Sequence, residues 1–556
     1  MSRTVRWQAL LVGLGMALAG ILFSYLALTY TTTQVPTTGG TYIEGVAGTP
    51  RHINPLLSAY NEADEDLCAL VFSGLTRFND RGEIAPDLAE SWEASLDGLT
   101  YVFHLRSDVH WHDGSPFTAD DVLFTVGLLR DPDYPGPPDI GSLWQTVRVE
   151  KEDNYTVRFV LSEPFAPFLD YTTIGLLPAH LLEGIRAAEL PELDFNLSPV
   201  GTGPFQLAEI DVVEGEISSI LFQRNPRYYG GGPLLEHVRI RFYPSYPAVF
   251  HAYETREVDG VSRVSRESLP RAREEENLEL YSAQIARYAI IFFNLSQKEE
   301  LPFFQDAEVR QALLYGLDRE AIVEQTLSGQ AIVARSPIVA GTWAYYDDLQ
   351  KYDFDPDRAR ALLDESGWTL PPGAFARNRE GESLAFTLLA STDPIQTAVA
   401  EEVARQWEEL GVRATVATTS TLDLREALER RDYQAALVEL ALPGDPDPYP
   451  LWHQTQITVG QNYAGLDHRR ISEVIETART IVSRDQREEL YSEFQELFAQ
   501  EVPAILLYHP VYTYGVDRKV QGVQVGPLMR PSDRFAAIED FYMATRRVIV
   551  SQTEAQ

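Results

Sequence analysis

The sequence predicts an α/β protein of several domains that begins with a membrane-spanning helix. Three observations support this class: an apolar run near the N-terminus, short strand-like runs around a few helices in the first half, and alternating helices and strands in the second half. At 556 residues, the chain is long enough for two or three domains with a large buried core.

The apolar run covers about 20 residues, from Ala9 to Leu28, and follows Arg3 and Arg6. About 20 helical residues span a hydrocarbon layer of roughly 30 Å. Basic residues on the short side direct the remaining chain out of the cytoplasm. The run has no clean small-residue cleavage pattern, so an anchor is favoured over a cleaved signal. The sequence thus predicts a cytoplasmic N-terminus at 1–8, a signal anchor at 9–30 and a polar linker at 31–40.

The first half of the body reads as an α+β unit. The run "GTYIEGVAG" alternates like a strand before Pro50 and Pro55 interrupt it. The runs "LTYVFHLR" and "YTVRFVLSEPF" then predict strands on either side of the helical run "DDVLFTVGLLR". Strands resume at "GTGPFQLAEI" and continue through "GGGPLLEHVRIRFYPS".

The second half predicts a parallel α/β sheet. Apolar residues recur at spacings of three and four in "DAEVRQALLYGLDREAIVEQTL", which is typical of an amphipathic helix. The runs "AVAEEVARQWEELG", "VRATVAT", "TLDLREALERRD" and "YQAALVELAL" follow as helix, strand, helix and strand. A long helical stretch then leads to the strand-like "PAILLYHPVYTYGV", so the end of the chain is expected to return to the first domain.

Composition and missing motifs argue against several classes of function. The chain has 82 acidic and 46 basic residues, and its net charge of -36 repels nucleic acid phosphates. Cys68 is the one cysteine, so the sequence predicts no disulfide and no CxxC pair. The phosphate loop GxxxxGK[ST], the zinc helix HExxH and the nucleophile elbow GxSxG do not occur. We therefore predict no cofactor, no metal and no nucleic acid partner.

The densest cluster of polar chemistry is "VHWHDGSPFTADDV", residues 109–122. His110 and His112 would share one face of a strand and could bind a metal if a third ligand arrived. However, "DG" is a strong turn signal, and Thr118 followed by Asp121 matches a capping box. We favour a hairpin that leads into a capped helix over a metal site.

A longer pattern includes this cluster. The run "LAESWEASLDGLTYVFHLRSDVHWHDGSPFTADDVLFTV", residues 88–126, closely resembles the signature of the family 5 solute-binding proteins of ABC importers, the dipeptide and oligopeptide binders. The similarity continues through "GTGPFQL", "YAIIFFNLS", "DAEVRQALLYGLDREAIV", "ARALLDESGW", "WEELGVRATV" and "LYSEFQELFAQEVPAILLYHP". It covers roughly residues 40–540.

The resemblance implies a two-lobed periplasmic-binding-protein-like clamshell of the α/β class, with an extra inserted N-terminal α+β subdomain and one transmembrane helix before it. Two crossover strands, near 281–294 and 503–514, would join the lobes. The implied boundaries are lobe I at 41–58, the inserted subdomain at 59–198, lobe I again at 199–284, lobe II at 285–504, a return to lobe I at 505–545, and a tail at 546–556.

The resemblance also implies the function. A monomeric, membrane-tethered, extracytoplasmic receptor would capture a peptide or another small solute by hinge closure and deliver it to ABC permease subunits in the membrane, without being an enzyme. A peptide sensor or chaperone on the same fold remains an alternative. A hydrolase with paired carboxylates is not favoured, because no spacing singles out such a pair.

The resemblance places the ligand contacts in loops that face the cleft. In peptide binders, an aspartate after a strand of the second lobe pairs with the ligand's amino group, and Asp445 in "LVELALPGDPDPYPLW" matches it best, with Asp447 as the alternative. The competing interpretation is a rigid turn with surface acids. The other implied contacts are Tyr60, Asn61, Trp343, Tyr345, Ser391, Asn462 and Tyr463.

One loop argues against strict dipeptide specificity. Dipeptide-type members clamp the ligand carboxylate with an arginine in the loop that corresponds to "LLASTDPIQ", residues 388–396. This chain has Asp393 there and no arginine. A longer peptide, or a cationic or neutral solute, is therefore expected.

Overall fold

The computed structural model describes residues 7, 12–24, 32–79, 81–481 and 483–549. The predicted N-terminal segment 1–8, apart from Trp7, and residues 550–556 of the predicted tail lie outside this range.

The predicted fold class requires one correction, which concerns the transmembrane helix at 9–30. Helix α1 is described over residues 12–24. Within the described ranges, no helix is long and apolar enough to cross a membrane. The rest of the predicted span, 9–11 and 25–30, lies outside the described residues. The two-lobed α/β body itself is confirmed below.

The chain first forms the start of lobe I and a separate α+β subdomain. The elements are β1 (Thr32–Thr37), β2 (Thr41–Ala47), α2 (Glu62–Val71), β3 (Thr76–Phe78), β4 (Ile84–Pro86), β5 (Ala89–Ala94), β6 (Thr100–Leu105), α3 (Ala119–Leu129), α4 (Pro138–Thr146), β7 (Arg148–Asp153), β8 (Thr156–Val160), α5 (Phe168–Tyr171) and α6 (Ala179–Leu182). The subdomain is built on a four-stranded sheet in the order β5-β6-β8-β7. Short 3-10 helices lie at Ser58–Tyr60, Ala187–Glu192 and Asp194–Leu197.

Lobe I then continues with β9 (Phe205–Val213), β10 (Glu216–Arg224), β11 (His237–Tyr243), α7 (Tyr246–Glu254), β12 (Gly260–Val261), α8 (Leu269–Glu274) and β13 (Leu278–Gln284). Strands β2, β9, β10 and β11 belong to one large sheet, in which β2 and β11 run parallel.

Lobe II contains β14 (Arg287–Phe293), α9 (Ala307–Tyr315), α10 (Arg319–Ala321), β15 (Ala331–Val333), α11 (Pro356–Glu365), β16 (Asn378–Arg379), β17 (Glu382–Ser383), β18 (Ala385–Ser391), α12 (Pro394–Glu408), β19 (Arg413–Thr419), α13 (Thr421–Arg430), β20 (Ala435–Ala441), α14 (Tyr449–Trp452), α15 (Gln456–Val459), α16 (Arg469–Thr480) and α17 (Arg484–Glu501). A 3-10 helix at Pro302–Gln305 and a π-helical turn at Ile322–Thr326 flank α9 and α10. The predicted order of helix, strand, helix and strand is confirmed by α12, β19, α13 and β20, and β18 is parallel to both β19 and β20.

The chain returns to lobe I through β21 (Ala504–Asp517) and ends with 3-10 helices at Pro531–Phe535 and Ile538–Asp540 and with β22 (Ala544–Ile549), which pairs with β1. Strand β21 pairs with β14 of lobe II through Ala504 to Tyr508, and with β13 of lobe I through Val511 to Asp517. The lobes therefore share one sheet, ordered β19-β18-β20-β14-β21-β12-β2-β11-β10-β9, with β13 and β15 also on β21. Both predicted crossovers, β13 to β14 and β21, are confirmed.

The "HWHDG" cluster is a structural connection inside lobe I. His112 accepts a hydrogen bond from the Gly201 N–H at 3.2 Å and donates one to the Gly203 C=O at 3.0 Å. Burial lowers the pKa of His112 to about 4, so the ring is neutral. A Cβ at Gly201 would lie 1.8 Å from the Val71 carbonyl oxygen, so this close approach requires glycine. The predicted capping box of Thr118 and Asp121 is confirmed at the start of α3.

A buried ion cluster joins distant segments of lobe I. The fully buried guanidinium of Arg534 lies 2.6 Å from carboxylate oxygens of both Glu44 on β2 and Asp66 on α2. The hydroxyl of Tyr514 on β21 donates to Glu44 at 2.6 Å. The cluster thus ties the C-terminal return to the first strand and first helix of the body.

Replacing Arg534 with Met should lower the free energy of unfolding by about 3–5 kcal/mol, because two buried carboxylates lose their counter-charge. Urea denaturation followed by circular dichroism measures this change. Arg530→Met is the control, because that arginine is exposed and its nearest carboxylate is 3.9 Å away. A similarly small effect for both variants would show that the cluster is not important for stability.

Candidate ligand-binding cleft

Strands β18, β19 and β20 run parallel in lobe II, and the loop at the carboxyl end of β20 lies against lobe I. Ligand sites in α/β sheets commonly lie in the crevice beyond such ends. The loop after β20 contacts the inserted subdomain, since Gly444 packs against the ring of Phe78 and the Asp445 N–H donates to the carboxylate of Asp170. The inserted subdomain of lobe I therefore contacts the edge of the lobe II sheet at which β20 ends.

Strand β20 has an open edge at this point. β18 pairs with β20 only through Leu388 and Leu389, which face Ala435 and Ala436. Within the described parts of the chain, the last residues of β20 are paired on one side alone, with β14. The main-chain bond from the Leu442 N–H to the Ala286 C=O shows that the even-numbered residues of β20 face β14. In an antiparallel pair, the odd-numbered Glu439 and Ala441 then direct their N–H and C=O groups into the fork between β18 and β20.

Glu439 is the acid at this fork. Its side chain is exposed to the cleft, although the residues before it in β20 are buried. Gln396, at the start of α12, donates from Nε2 to the Glu439 carboxylate at 2.9 Å. The Gln396 Oε1 atom is buried and has no hydrogen-bond partner within the described part of the chain.

Two arginines come close enough to Glu439 to change its titration. Burial raises the pKa of the Glu439 carboxyl, whereas the charges of Arg287 and Arg263 lower it. Arg287 begins β14 at the crossover, and Arg263 comes from lobe I, where its guanidinium lies 5.5 Å from the Tyr246 ring centroid and 5.7 Å from that of Tyr512. Among the described residues, neither arginine has an ion-pair partner within 4.0 Å. The cleft therefore contains both negatively and positively charged side chains.

Asp445 and Asp447 already have partners within the chain. Arg487 donates to both carboxylate oxygens of Asp445, one at 2.8 Å, and the side chains of Asp445 and Arg487 are only 11% and 7% exposed. The Asp447 carboxylate lies 3.2 Å from the Arg479 guanidinium. Burial raises the pKa of Asp447 to about 6, against the lowering effect of Arg479. A ligand amine at either acid would compete with an arginine.

A cavity of about 390 Å³ lies beside Asp445, between the inserted subdomain and lobe II. Trp343 forms part of its wall, and the guanidinium groups of Arg484 and Arg487 lie 5.2 and 5.0 Å from the centre of the Trp343 ring. The structure thus brings Asp445 and Trp343, two of the predicted contacts, to one cavity.

The remaining predicted residues are dispersed. Ser391 ends β18 at the fork, where its hydroxyl accepts the Asp393 N–H at 3.3 Å. Tyr60 is 71% exposed, and the ring of Tyr463 packs edge-on against Phe292 in lobe II.

Two of the predicted residues have structural partners, and a third lies at a separate cavity. Asn61 is the N-cap of α2 and accepts the Ala63 N–H at 3.0 Å. The buried Asn462 donates to the carbonyls of His453 and Leu466 and accepts the Leu466 N–H. Tyr345 lines a separate cavity of about 50 Å³ against the core of lobe II. The sequence analysis did not single out Glu439, Gln396, Arg263 and Arg287, which the structure brings close to one another. Of these four, the sequence could have indicated only Glu439, because it is a charged residue near the end of an apolar strand run.

Comparisons with known proteins agree with this architecture. The family model described as bacterial extracellular solute-binding proteins, family 5 Middle, matches residues 83–462. The oligopeptide-binding protein AppA of Bacillus subtilis is 29% identical over 503 residues, covering 88% of this chain and 90% of AppA. The dipeptide-binding protein of Escherichia coli is 26% identical over 535 residues, covering 92% of this chain and 97% of that protein.

Solved structures are similar over the same range. The structure of Bacillus subtilis AppA in complex with a nonapeptide has a TM-score of 0.69 at 28% identity and covers 92% of this chain and all of that one. NikZ from Campylobacter jejuni in complex with Ni(L-His) has a TM-score of 0.70 at 26% identity and covers 90% of this chain and 99% of that one.

The contact between Asp170 and the Asp445 loop should make lobe closure depend on pH. Burial and the negative charge of Asp445 raise the pKa of the Asp170 carboxyl to about 7 from its ordinary 3.8. If the lobes open and expose Asp170, its pKa falls, so closure takes up a proton and is favoured below pH 7. Ligand affinity should therefore rise up to about tenfold from pH 8 to pH 6, measured by calorimetry.

Asp170→Asn should remove most of this pH dependence while its amide oxygen still accepts the Asp445 N–H. The control is Asp120→Asn, at an exposed acid on α3. An unchanged pH profile in the Asp170 variant would assign the dependence to another group.

Proposed function

The chain belongs to the bacterial extracellular solute-binding proteins of family 5, and on this basis we propose that it captures peptides between its lobes and delivers them to an ABC permease. It acts outside the cytoplasm, as the family does, and as a monomer. The ligand is bound and released intact, because the proposed task requires only recognition and hinge closure.

The open edge of β20 is the observation that carries the peptide assignment. An extended peptide can add to an unpaired strand edge through main-chain hydrogen bonds, which do not depend on the ligand's side chains. The fork beside Glu439 and Ala441 offers such groups inside the cleft. The names of the relatives, an oligopeptide-binding and a dipeptide-binding protein, support the same ligand class.

We further propose Glu439 as the partner of the peptide's amino group. It is exposed at the fork and lies beside the unpaired oxygen of Gln396, whereas Asp445 is fully engaged by Arg487. Asp445, the residue that the family resemblance favours, remains the competing candidate, with Asp447 after it. The nearby Arg263 and Arg287 can donate hydrogen bonds to the carbonyl groups of the peptide.

Binding of tetra-alanine should raise the melting temperature by mass action, and the peptide should be recovered unchanged. N-methylation of one backbone amide that faces β20 should weaken binding about three- to tenfold, since each main-chain hydrogen bond contributes roughly 0.5–1.5 kcal/mol. Calorimetry with singly methylated analogues measures this loss. Equal affinity for all analogues, or a cleaved peptide, would contradict the proposal.

A comparison of Glu439→Gln with Asp445→Asn tests which acid binds the peptide's amino group. Glu439→Gln should weaken binding of a free-amine peptide by about tenfold or more, because a charge-assisted bond is lost, and should change binding of the N-acetylated peptide much less. Asp445→Asn should affect both peptides alike through Arg487. The reverse pattern would identify Asp445 as the anchor.

A further inference from the structure

A long irregular segment of lobe II, residues 334–355, forms part of the cleft. It connects β15 to α11 and contains no helix or strand over its twenty-two residues, all of which the structure describes. Segments of this length without regular structure are uncommon in compact domains and often have a function. We name this segment the strap. Its middle part lines the cavity beside Asp445 through Thr342 and Trp343.

One buried side chain holds the middle of the strap. Gln495 on α17 is fully buried, and its Oε1 atom accepts hydrogen bonds from the Ser336 hydroxyl at 2.7 Å and the Tyr346 N–H at 3.1 Å. Its Nε2 atom donates to the Ala344 C=O and to the Tyr491 C=O of its own helix, both at 2.9 Å. A glutamine amide has two donors and two acceptor sites, so its whole capacity is used. Three of these four bonds go to the strap.

The two ends of the strap are held by other contacts. The Ala334 N–H donates to the Leu507 C=O at 3.1 Å, and the Asp355 N–H donates to the Tyr315 C=O at 2.9 Å. These bonds do not involve Gln495. Loss of the Gln495 amide would therefore release the middle of the strap while its ends stay attached to lobe II.

Helix α17 links the strap to the turn after β20. The centre of the Trp343 ring lies 5.8 Å from that of the Tyr491 ring and 5.0 Å from the Arg487 guanidinium. Arg487 donates to the Tyr491 hydroxyl at 2.8 Å and forms the ion pair with Asp445. Arg487, Tyr491 and Gln495 are four residues apart, so they lie on one face of α17. The same helix face thus positions both Trp343 and Asp445.

We propose that Gln495 is a positioning residue for ligand binding, because it holds the strap where Trp343 forms one wall of the cleft. Since Gln495 is fully buried, it acts through the strap and does not touch the ligand. Without the amide, the main-chain groups of Ala344 and Tyr346 lose their partners, and the middle of the strap moves toward water to recover them. The inference rests on the proposed peptide-binding function and adds the residue that fixes this wall.

The first experiment follows the strap in the protein without ligand. Gln495→Met retains a side chain of similar size and removes all three bonds to the strap. Amide hydrogen exchange in the segment 336–346 should become at least about tenfold faster, because the Tyr346 N–H loses its acceptor. Fluorotryptophan labelling gives one fluorine NMR signal for each of the eight tryptophans, and Trp343→Phe identifies the signal of Trp343. That signal should shift more in Gln495→Met than the others do.

The second experiment measures ligand binding. Tetra-alanine should bind to Gln495→Met about five- to tenfold more weakly than to the wild type, mainly because it dissociates faster. Calorimetry and stopped-flow measurements give the affinity and the rate. The double variant Gln495→Met with Trp343→Ala should bind no more weakly than Trp343→Ala alone, because both changes remove the same wall.

Two further variants serve as controls. Gln500→Met changes an exposed glutamine on the same helix and should leave exchange, fluorine signals and affinity unchanged. If Gln495→Met does not fold, Gln495→Glu tests the same contacts. Its ionised carboxylate cannot donate to the Ala344 C=O, whereas the protonated carboxyl can. The affinity of this variant relative to the wild type at the same pH should therefore recover as the pH falls from about 8 to about 5.

Unchanged exchange, an unmoved Trp343 signal, additive losses in the double variant, or a Gln495→Glu ratio that is independent of pH would each overturn the assignment. If tetra-alanine binds to the wild type and these readouts do not change, only this inference fails. If tetra-alanine does not bind to the wild type, the proposed function fails, whereas exchange and the fluorine signals still decide whether Gln495 holds the strap.

Discussion

The architecture depends on one strand that pairs with both lobes. β21 runs for fourteen residues, first along β14 of lobe II and then along β13 and β12 of lobe I. Its main-chain hydrogen bonds prevent the lobes from separating, so bending is confined to the segment where its partners change. Pro510 lies in that segment and has no N–H to lose when the strand bends. Opening and closing of the cleft is then a hinge motion about β21 and the β13–β14 crossover.

The same sheet explains which polar groups the cleft contains. Because β18 and β20 diverge after a short paired stretch, the end of β20 leaves the core with free main-chain groups and an exposed Glu439. Buried backbone groups normally require partners, so an open edge within a cleft is a natural place for another extended chain. Rigid strands also position these groups more accurately than a loop would.

The acidic residues differ in whether an arginine within the chain neutralises them. Glu44 and Asp66 neutralise Arg534 in the core, and Asp445 and Asp447 are neutralised by arginines of α17 and α16. These pairs bind the long C-terminal helices to the turn after β20, next to the cavity. Glu439 accepts a hydrogen bond from Gln396 but has no ion-pair partner within 4.0 Å among the described residues. The strongly negative net charge of the chain therefore says little about which acid acts in the cleft.

Local patterns in the sequence predicted many of the helices and strands and the capping box of Thr118. The long signature predicted the family, and the resemblance to that family implied both crossovers. Hydrophobic periodicity, capping and turn residues act over a few neighbours, so they can be read directly from the chain. The predicted membrane-spanning helix is not found, because no helix within the described residues is long and apolar enough to cross a membrane. Asp445 was predicted to bind the ligand because its ion-pair partner, Arg487, lies 42 residues away in the sequence and cannot be recognised there. Which acids remain unpaired, and where a strand loses its neighbour, are decided by long-range packing, and only the tertiary structure shows them.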